Sequence, residues 1–312
     1  MVDAPLPGTP AVLIANPSAG RGRQRRTTRR ILEALRLAGY DVEPLATRHP
    51  GHATELARAA AVRGVGAVFA YGGDGTLREA AAGVLSTRVP IGFIPGGTTN
   101  VMALTLGLPR DPVEAAAALA RAEVHEMDVG LCGDEAFLML ASAGFDARVV
   151  TALPPALKRL SGTLAVAWSG LCHAFTYRFP EIAVEADGRR LSGTLVAVCN
   201  IPYYGGPWQL LPEARPDDRR LDLLVFRGRG LLATLALARD VLLGRRHLKR
   251  RDVETLRVEE VRVWPGEAPM EIDGDLYRPR ADRPRERGGG EAAQPVTLRL
   301  SDVRLRVLRP AP

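Results

Sequence analysis

The sequence predicts an α/β protein in which a doubly wound domain is followed by a mainly β, sandwich-like domain. Three observations carry that reading. Over the first 128 residues short apolar runs alternate with amphipathic segments, as βαβ units require. After about Asp128 the texture changes to strand-like segments with few long helical patterns. Finally, three glycine-rich stretches each stand between a predicted strand and a predicted helix, where open α/β sheets bind ligands.

In the first domain, Val12–Ala15, Val42–Ala46, Ala67–Tyr71 and Ile91–Ile94 read as buried parallel strands, each bounded by Gly, Pro or Asn. Between them, Ile31, Ala34, Leu35 and Ala38 recur at helical spacing before Gly39, a natural C-cap. Ala53, Leu56, Ala57 and Ala60 repeat the pattern before Gly64. Right-handed crossovers then give a doubly wound sheet.

The second domain, 129–312, reads as strands at Glu181–Glu185 and Thr194–Asn200 flanking a hairpin-type Asp187-Gly188 turn, then Leu221–Phe226, Leu256–Trp264 and Val296–Leu308. The last strand is a candidate for returning to the first domain, 1–128. Leu231–Leu243 and the apolar segment near Leu164–Leu171 read as helices, and Arg280–Gln294 as a surface loop.

Composition narrows the function classes. With 312 residues, 46% hydrophobic and 25% charged, the chain suits a packed globular protein rather than a disordered one. Cys132, Cys172 and Cys199 show no CxxC spacing, so they read as buried thiols rather than a zinc site or disulfide framework. No charged start followed by an apolar run opens the chain, which predicts a cytoplasmic location. The longest nearly uncharged stretch, Gly162–Phe175, falls short of the roughly 18 residues a membrane span needs. A formal charge of +7 suits an anionic partner. Aromatics at 5% are not interleaved with the basic runs, which argues against single-stranded nucleic acid.

Chemistry concentrates in the loops. Gly72-Gly73-Asp74-Gly75-Thr76 follows the strand Ala67–Tyr71 and precedes a helical run beginning near Leu77. Three glycines in five residues let the backbone approach a bulky anion and aim N–H groups at phosphate oxygens. Asp74 cannot cradle a phosphate, so a carboxylate there suggests Mg²⁺ or base chemistry, against the plainer reading of a capped turn. Pro95-Gly96-Gly97-Thr98-Thr99-Asn100 and Asn16-Pro17-Ser18-Ala19-Gly20-Arg21-Gly22 are built alike. Neither a P-loop nor a GxGxxG fingerprint is present, and neither Lys158 nor Lys249 lies in these loops.

This ordered set resembles the diacylglycerol kinase and sphingosine kinase superfamily of lipid kinases. Asn16–Gly22 is similar to its NPxxGxG element, Gly72–Thr76 to its GGDGT, and Pro95–Asn100 with Leu106-Gly107-Leu108-Pro109 to its PxGTxN segment and LGLP. Met127-Asp128-Val129-Gly130, Gly144-Phe145-Asp146, the Asn200 region and Ile272-Asp273-Gly274-Asp275 follow in family order. The resemblance implies an α/β nucleotide-binding domain, a β-sandwich lipid-binding domain, and transfer of the γ-phosphate of ATP to a diacylglycerol-like hydroxyl. It implies that Asn16, Thr47, Gly72, Gly73, Asp74, Gly75, Thr76, Leu77, Arg78, Gly97, Thr98 and Asn100 form the ATP site, with Asp74 and Asp275 catalytic. It further implies a structural Mg²⁺ at Arg215, Asp218 and Arg220. Arg219 stands where the bacterial pattern has glycine, and Asp275 where the family has a glutamate proposed as base. The partners implied are a lipid substrate at the surface of an anionic membrane, bound peripherally, and a second copy in a homodimer, with no nucleic acid.

Two other readings stay open at this point. An NAD kinase shares GGDGT, and a non-catalytic lipid or nucleotide sensor would accommodate Arg219 and Asp275. Elsewhere His52 reads as a helix-start residue, and Tyr203–Trp208 as either an aromatic turn or a lipid entrance. The basic runs at Arg21, Arg23, Arg25, Arg26, Arg29 and Arg30 and at Arg245, Arg246, Lys249, Arg250 and Arg251 read as solvated faces that would also suit an anionic bilayer.

Overall fold

The computed structural model describes residues 8–17, 24–119, 121–152, 177–278 and 294–310. The apolar stretch 162–175 with the helix expected in it, residues 280–293 of the expected loop, Lys158, Cys172, residues 18–22 of the first glycine-rich loop, and Arg21 and Arg23 of the first basic run lie outside them. The chain divides into two compact units. One comprises residues up to Val129, Tyr203–Pro207 and Asp302 onward; the other comprises Gly130–Pro202 and Trp208–Ser301.

In the first unit β1 (Thr9–Ala15), α1 (Gln24–Leu37), β2 (Tyr40–Ala46), α2 (His52–Val62), β3 (Ala67–Gly72), α3 (Asp74–Val84), β4 (Ile91–Pro95), α4 (Val101–Thr105), α5 (Pro112–Leu119) and β5 (Ala122–Met127) follow one another. The sheet order is β2-β1-β3-β4, then the C-terminal strand Leu305–Pro310, then β5. Pairing is parallel except between Leu305–Pro310 and β5. α1 packs with α5, and α2 with α3. Ile31 and Leu35 carry the buried face of α1, and Ala53, Ala57 and Ala60 that of α2. The α2–α3 contact depends on small residues: a Cβ on Gly83 would lie 2.5 Å from the Thr54 carbonyl oxygen and 2.7 Å from Ala57 Cβ. The sheet interior is Leu13, Ile14, Phe69, Phe93 and Ile94, all fully buried as strands covered on both faces demand.

The second unit contains two six-stranded sheets. With β6 (Gly130–Cys132), β7 (Glu135–Phe137), β8 (Leu140–Gly144), α6 (Phe145–Ala152), β9 (Ile182–Ala186), β10 (Arg189–Gly193) and β11 (Leu195–Cys199) placed, one sheet runs β10, β9, Glu260–Trp264, Val296–Leu300, β6, β7. The other runs Val253–Val258, Leu221–Phe226, β11, β8, Met270–Ile272, Asp275–Leu276. Alternate residues meet in one core, among them Val184, Val198, Leu223, Val261 and Leu298.

Three sequence expectations are corrected here. The partner of β9 across the Asp187-Gly188 turn is Arg189–Gly193, while Leu195–Cys199 belongs to the other sheet. The chain changes sheets at Gly193, where a Cβ would meet the Phe226 carbonyl oxygen at 2.6 Å. Leu256–Trp264 is two strands, Val253–Val258 and Glu260–Trp264, one in each sheet. Val296–Leu308 likewise divides, Val296–Leu300 in the second unit and Leu305–Pro310 in the first.

Candidate active site

The carboxyl ends of β1, β3 and β4 bring the glycine-rich loops together. Asn16 at the end of β1 donates its amide to the Tyr71 carbonyl (2.9 Å) and its side-chain Nδ2 to Thr76 Oγ1 (3.1 Å). The Gly96 amide donates to the Gly72 carbonyl at 2.6 Å. Side chains are barred from this junction. A Cβ on Gly72 would sit 2.4 Å from Thr76 Oγ1, and one on Gly97 would sit 2.7 Å from Gly73 Cα. Asn100, with φ 47°, closes the third loop by accepting from the Gly97 amide (3.0 Å) and donating to the Gly97 carbonyl (2.9 Å). Thr47 lies alongside, its amide bonded to the Ala15 carbonyl at 3.0 Å, while Thr98 is exposed.

Asp74 is the first residue of α3 rather than part of a loop ahead of a helix at Leu77. Its carboxylate accepts from Thr99 Oγ1 (3.2 Å) and from the amides of Val101 (3.1 Å) and Met102 (3.1 Å). It therefore caps the short helix α4 and ties the second loop to the third. Burial pushes its pKa above the ordinary carboxylate value, and these donors pull it back only in part. Leu77, expected at the ATP site, has its side chain in the core and its amide bonded to the Gly73 carbonyl at 3.2 Å. Arg78 is half-buried on the same helix. Gly75 differs from its neighbours: nothing lies within 4 Å of a Cβ placed there, so packing does not require glycine.

Beside Gly96, Gly97 and Asn100 is a cavity of about 290 Å³ that also touches Tyr71, Arg30 on α1 and Arg110 ahead of α5. These arginines were not among the sequence-predicted site residues. Arg110 directly follows the LGLP run, the one signal that could have located it. The neighbouring Asp111 accepts the Val113 and Glu114 amides (2.8 and 3.0 Å) and so caps α5.

In the second unit, Asp273 (φ 49°) and Gly274 (φ 89°) form the turn between Met270–Ile272 and Asp275–Leu276. Asp273 accepts the amides of Leu138, Met139 and Leu140 at 2.8, 2.9 and 3.1 Å, which clamps the entry to β8 rather than merely capping its own turn. Asp275 is exposed.

The residues expected to hold a structural Mg²⁺ do not fit a bare dication. Asp218 Oδ1 accepts the Arg220 amide at 3.1 Å, and Oδ2 is paired with the Arg257 guanidinium. Arg219 adopts φ 59° and donates to the Ser301 carbonyl at 3.0 Å. The charge a metal would neutralise at Asp218 already has a cation, so a dication would have to displace Arg257.

A mixed sheet with glycine-rich loops joined at the carboxyl ends of its parallel strands is followed along the chain by an antiparallel sandwich. Residues 10–132 match the diacylglycerol kinase catalytic domain, and residues 139–300 match the YegS C-terminal NAD kinase beta sandwich-like domain. The chain is 36% identical over 219 residues to a probable lipid kinase YegS-like of Chromohalobacter salexigens, covering 67% of this chain and 69% of that one. It is 30% identical over 273 residues to a diacylglycerol kinase of Bacillus subtilis, covering 85% and 89%. A crystal structure of a putative diacylglycerol kinase from Bacillus anthracis superposes with a TM-score of 0.77 at 24% identity, covering 99% of this chain and 98% of that one, and shares its fold. The chain belongs to the diacylglycerol kinase family of lipid kinases, phosphotransferases whose phosphate donor is ATP.

Proposed function

We propose that this chain transfers the γ-phosphoryl group of ATP, taken up as its Mg²⁺ complex, to the hydroxyl of a diacylglycerol-like lipid. The observation that carries the proposal is Gly75, a glycine that packing does not demand at the first turn of α3, beside a junction of loops from which side chains are excluded. Such a surface suits close approach of a polyphosphate to backbone amides. In this reading Asn16, Thr47, Gly72, Gly73, Gly75, Thr76, Gly97, Thr98 and Asn100 surround the donor, and Arg30 and Arg110 supply positive charge. Asp74 holds the second and third loops in register. Asp275 accepts the hydroxyl proton as the lipid oxygen bonds to phosphorus and the bond to the ADP oxygen breaks.

The acceptor is lipid, so we assign peripheral contact with an anionic bilayer. The helix Gly230–Leu242 bears exposed Leu232 (83%), Leu235 (46%) and Leu242 (55%), followed by Leu243 (54%). Exposed Arg245, Arg246, Lys249 and Arg251 come next in the chain. Apolar side chains flanked by cations suit the headgroup boundary of an anionic membrane. No helix among the described residues is long and apolar enough to cross a membrane.

Thin-layer chromatography of products from radiolabelled ATP, with diacylglycerol, sphingosine, ceramide, phosphatidylglycerol and NAD offered separately, tests the assignment. Label should enter diacylglycerol, and labelling of NAD alone would replace this reading with that of an NAD kinase.

A further inference from the structure

Ser142, Asp146 and Glu271 form a buried cluster beside the Asp273–Asp275 turn. Alternation along the strands explains its place. Ala141 and Ala143 of β8, and Met270 and Ile272 of the neighbouring strand, point into the sandwich core. Ser142 and Glu271 therefore point to the opposite face, which α6 covers. Glu271 is 1% exposed. Ser142 Oγ is 2.6 Å from Asp146 Oδ2 and 3.1 Å from Glu271 Oε1, and Glu271 Oε2 accepts the Gly274 amide at 2.6 Å.

A serine hydroxyl has one proton to donate. It cannot fill both carboxylate contacts, so the second contact needs a proton on one of the acids. The shorter distance identifies Asp146 as the ionised acceptor, since hydroxyl-to-carboxylate bonds are the short ones. Asp146 also lies in the first turn of α6, where the helix dipole favours negative charge.

We infer that Glu271 keeps its proton in the folded protein and acts as a positioning residue for the Asp273-Gly274-Asp275 turn, through a chain running from Glu271 O–H to Ser142 O–H to the Asp146 carboxylate. The inference deepens the proposed function, resting on it only for the role of Asp275. The electrostatic surroundings agree. Burial, then the charge of Asp146, drives the Glu271 pKa well above its ordinary value, with Asp273 adding to the rise and the Gly274 and Ser142 contacts opposing it. Asp146 is pushed above the ordinary carboxylate value as well, mainly by burial, with the Ser142 contact opposing the rise. Among the described residues, the titratable groups near the pair include Asp275 across the hairpin, Asp222, and the thiols of Cys199 and Cys132, which feel Glu271 and which burial keeps neutral.

The test compares wild type, Glu271→Gln and Glu271→Ala. A glutamine amide reproduces both contacts of the protonated acid, donating to Ser142 and accepting from Gly274. A raised folded pKa means that the folded wild type holds a proton the unfolded chain has lost. Its stability therefore falls as pH rises above the unfolded value toward the folded one, and no such loss affects Glu271→Gln. The Tm of Glu271→Gln minus that of wild type should thus climb as pH rises above about 5. A flat or declining difference overturns the inference. Should Glu271→Gln not fold, proton release on unfolding decides: above the ordinary glutamate range wild type should release more protons than Glu271→Ala, and equal release contradicts the assignment. In the kinase assay Glu271→Ala should lower kcat at least about tenfold with KM for ATP unchanged, while Glu271→Gln restores it. Equal loss in both variants would remove the positioning role. If no lipid is phosphorylated by any form, the kinase reading fails while the Tm and proton measurements still report on Glu271.

Discussion

Gly75 and Gly97 are alike in the sequence and unlike in the structure. A methyl group on Gly97 would press on Gly73 Cα, whereas one on Gly75 would meet open space. Gly97→Ala should therefore cost about 1–3 kcal/mol of stability. Gly75→Ala should leave stability within about 1 kcal/mol of wild type, because alanine is the better helix former. Its effect should instead appear as a KM for ATP raised at least about tenfold, the loss of roughly 1.4 kcal/mol of binding. Chemical denaturation paired with steady-state kinetics checks both variants, and an unchanged KM in Gly75→Ala would dissociate this residue from the donor. The loops themselves were legible because their residue types are tied to backbone geometry. The bonding of Asp74 was not, since its partners, Thr99, Val101 and Met102, are more than twenty residues away. That geometry sharpens the expectation for Asp74→Asn. An amide nitrogen directed at the donors of α4 would leave one unsatisfied, costing about 1–3 kcal/mol, and turnover should collapse with loop register. Normal kcat in Asp74→Asn would separate the loop junction from catalysis.

At the level of elements, the first four strands and the helices between them could be read from periodicity because the strands are bounded by Gly, Pro or Asn, whereas α5 and β5 were not read. The second unit was harder for a physical reason. Apolar alternation runs through Leu256 and Val258 and resumes, one residue out of phase, at Val261 and Val263; with only Glu259 and Glu260 between, Leu256–Trp264 read as one strand where the chain turns a corner into the other sheet. The helix Gly230–Leu242 was legible as amphipathic, but which face remains uncovered was not. Replacing Leu232 and Leu242 with serine should leave the fold intact, both being exposed, and weaken co-sedimentation with anionic vesicles at least about tenfold. Binding of the variant equal to wild type would exclude this helix as the docking element. The segment around Asp218 yields a different expectation. Because Arg257 already neutralises Asp218, adding EDTA or Mg²⁺ to the nucleotide-free protein should shift Tm by less than about 1 °C. A rise of several degrees with Mg²⁺ would show that the ion displaces the guanidinium.

For the molecule as a whole, the ordered series of motifs from Asn16 to Asp275 identified the family, and the matched domains span most of the chain. The order of motifs survives along the chain even where strand boundaries do not, which is why the class of reaction was more legible than the sandwich topology. Buried polar chemistry was the least legible level. Nothing in the local sequence joins Ser142 to Glu271, because 129 residues separate them and only antiparallel pairing of their strands makes them neighbours. The central claim, transfer of the terminal phosphoryl group of ATP to a lipid hydroxyl, is tested most directly by following the label. Wild-type protein with diacylglycerol vesicles and ATP labelled at either the γ or the α position should yield a labelled phospholipid from γ-labelled ATP only. Absence of labelled lipid from the γ-labelled donor, with the protein folded and vesicle-bound, would contradict the account.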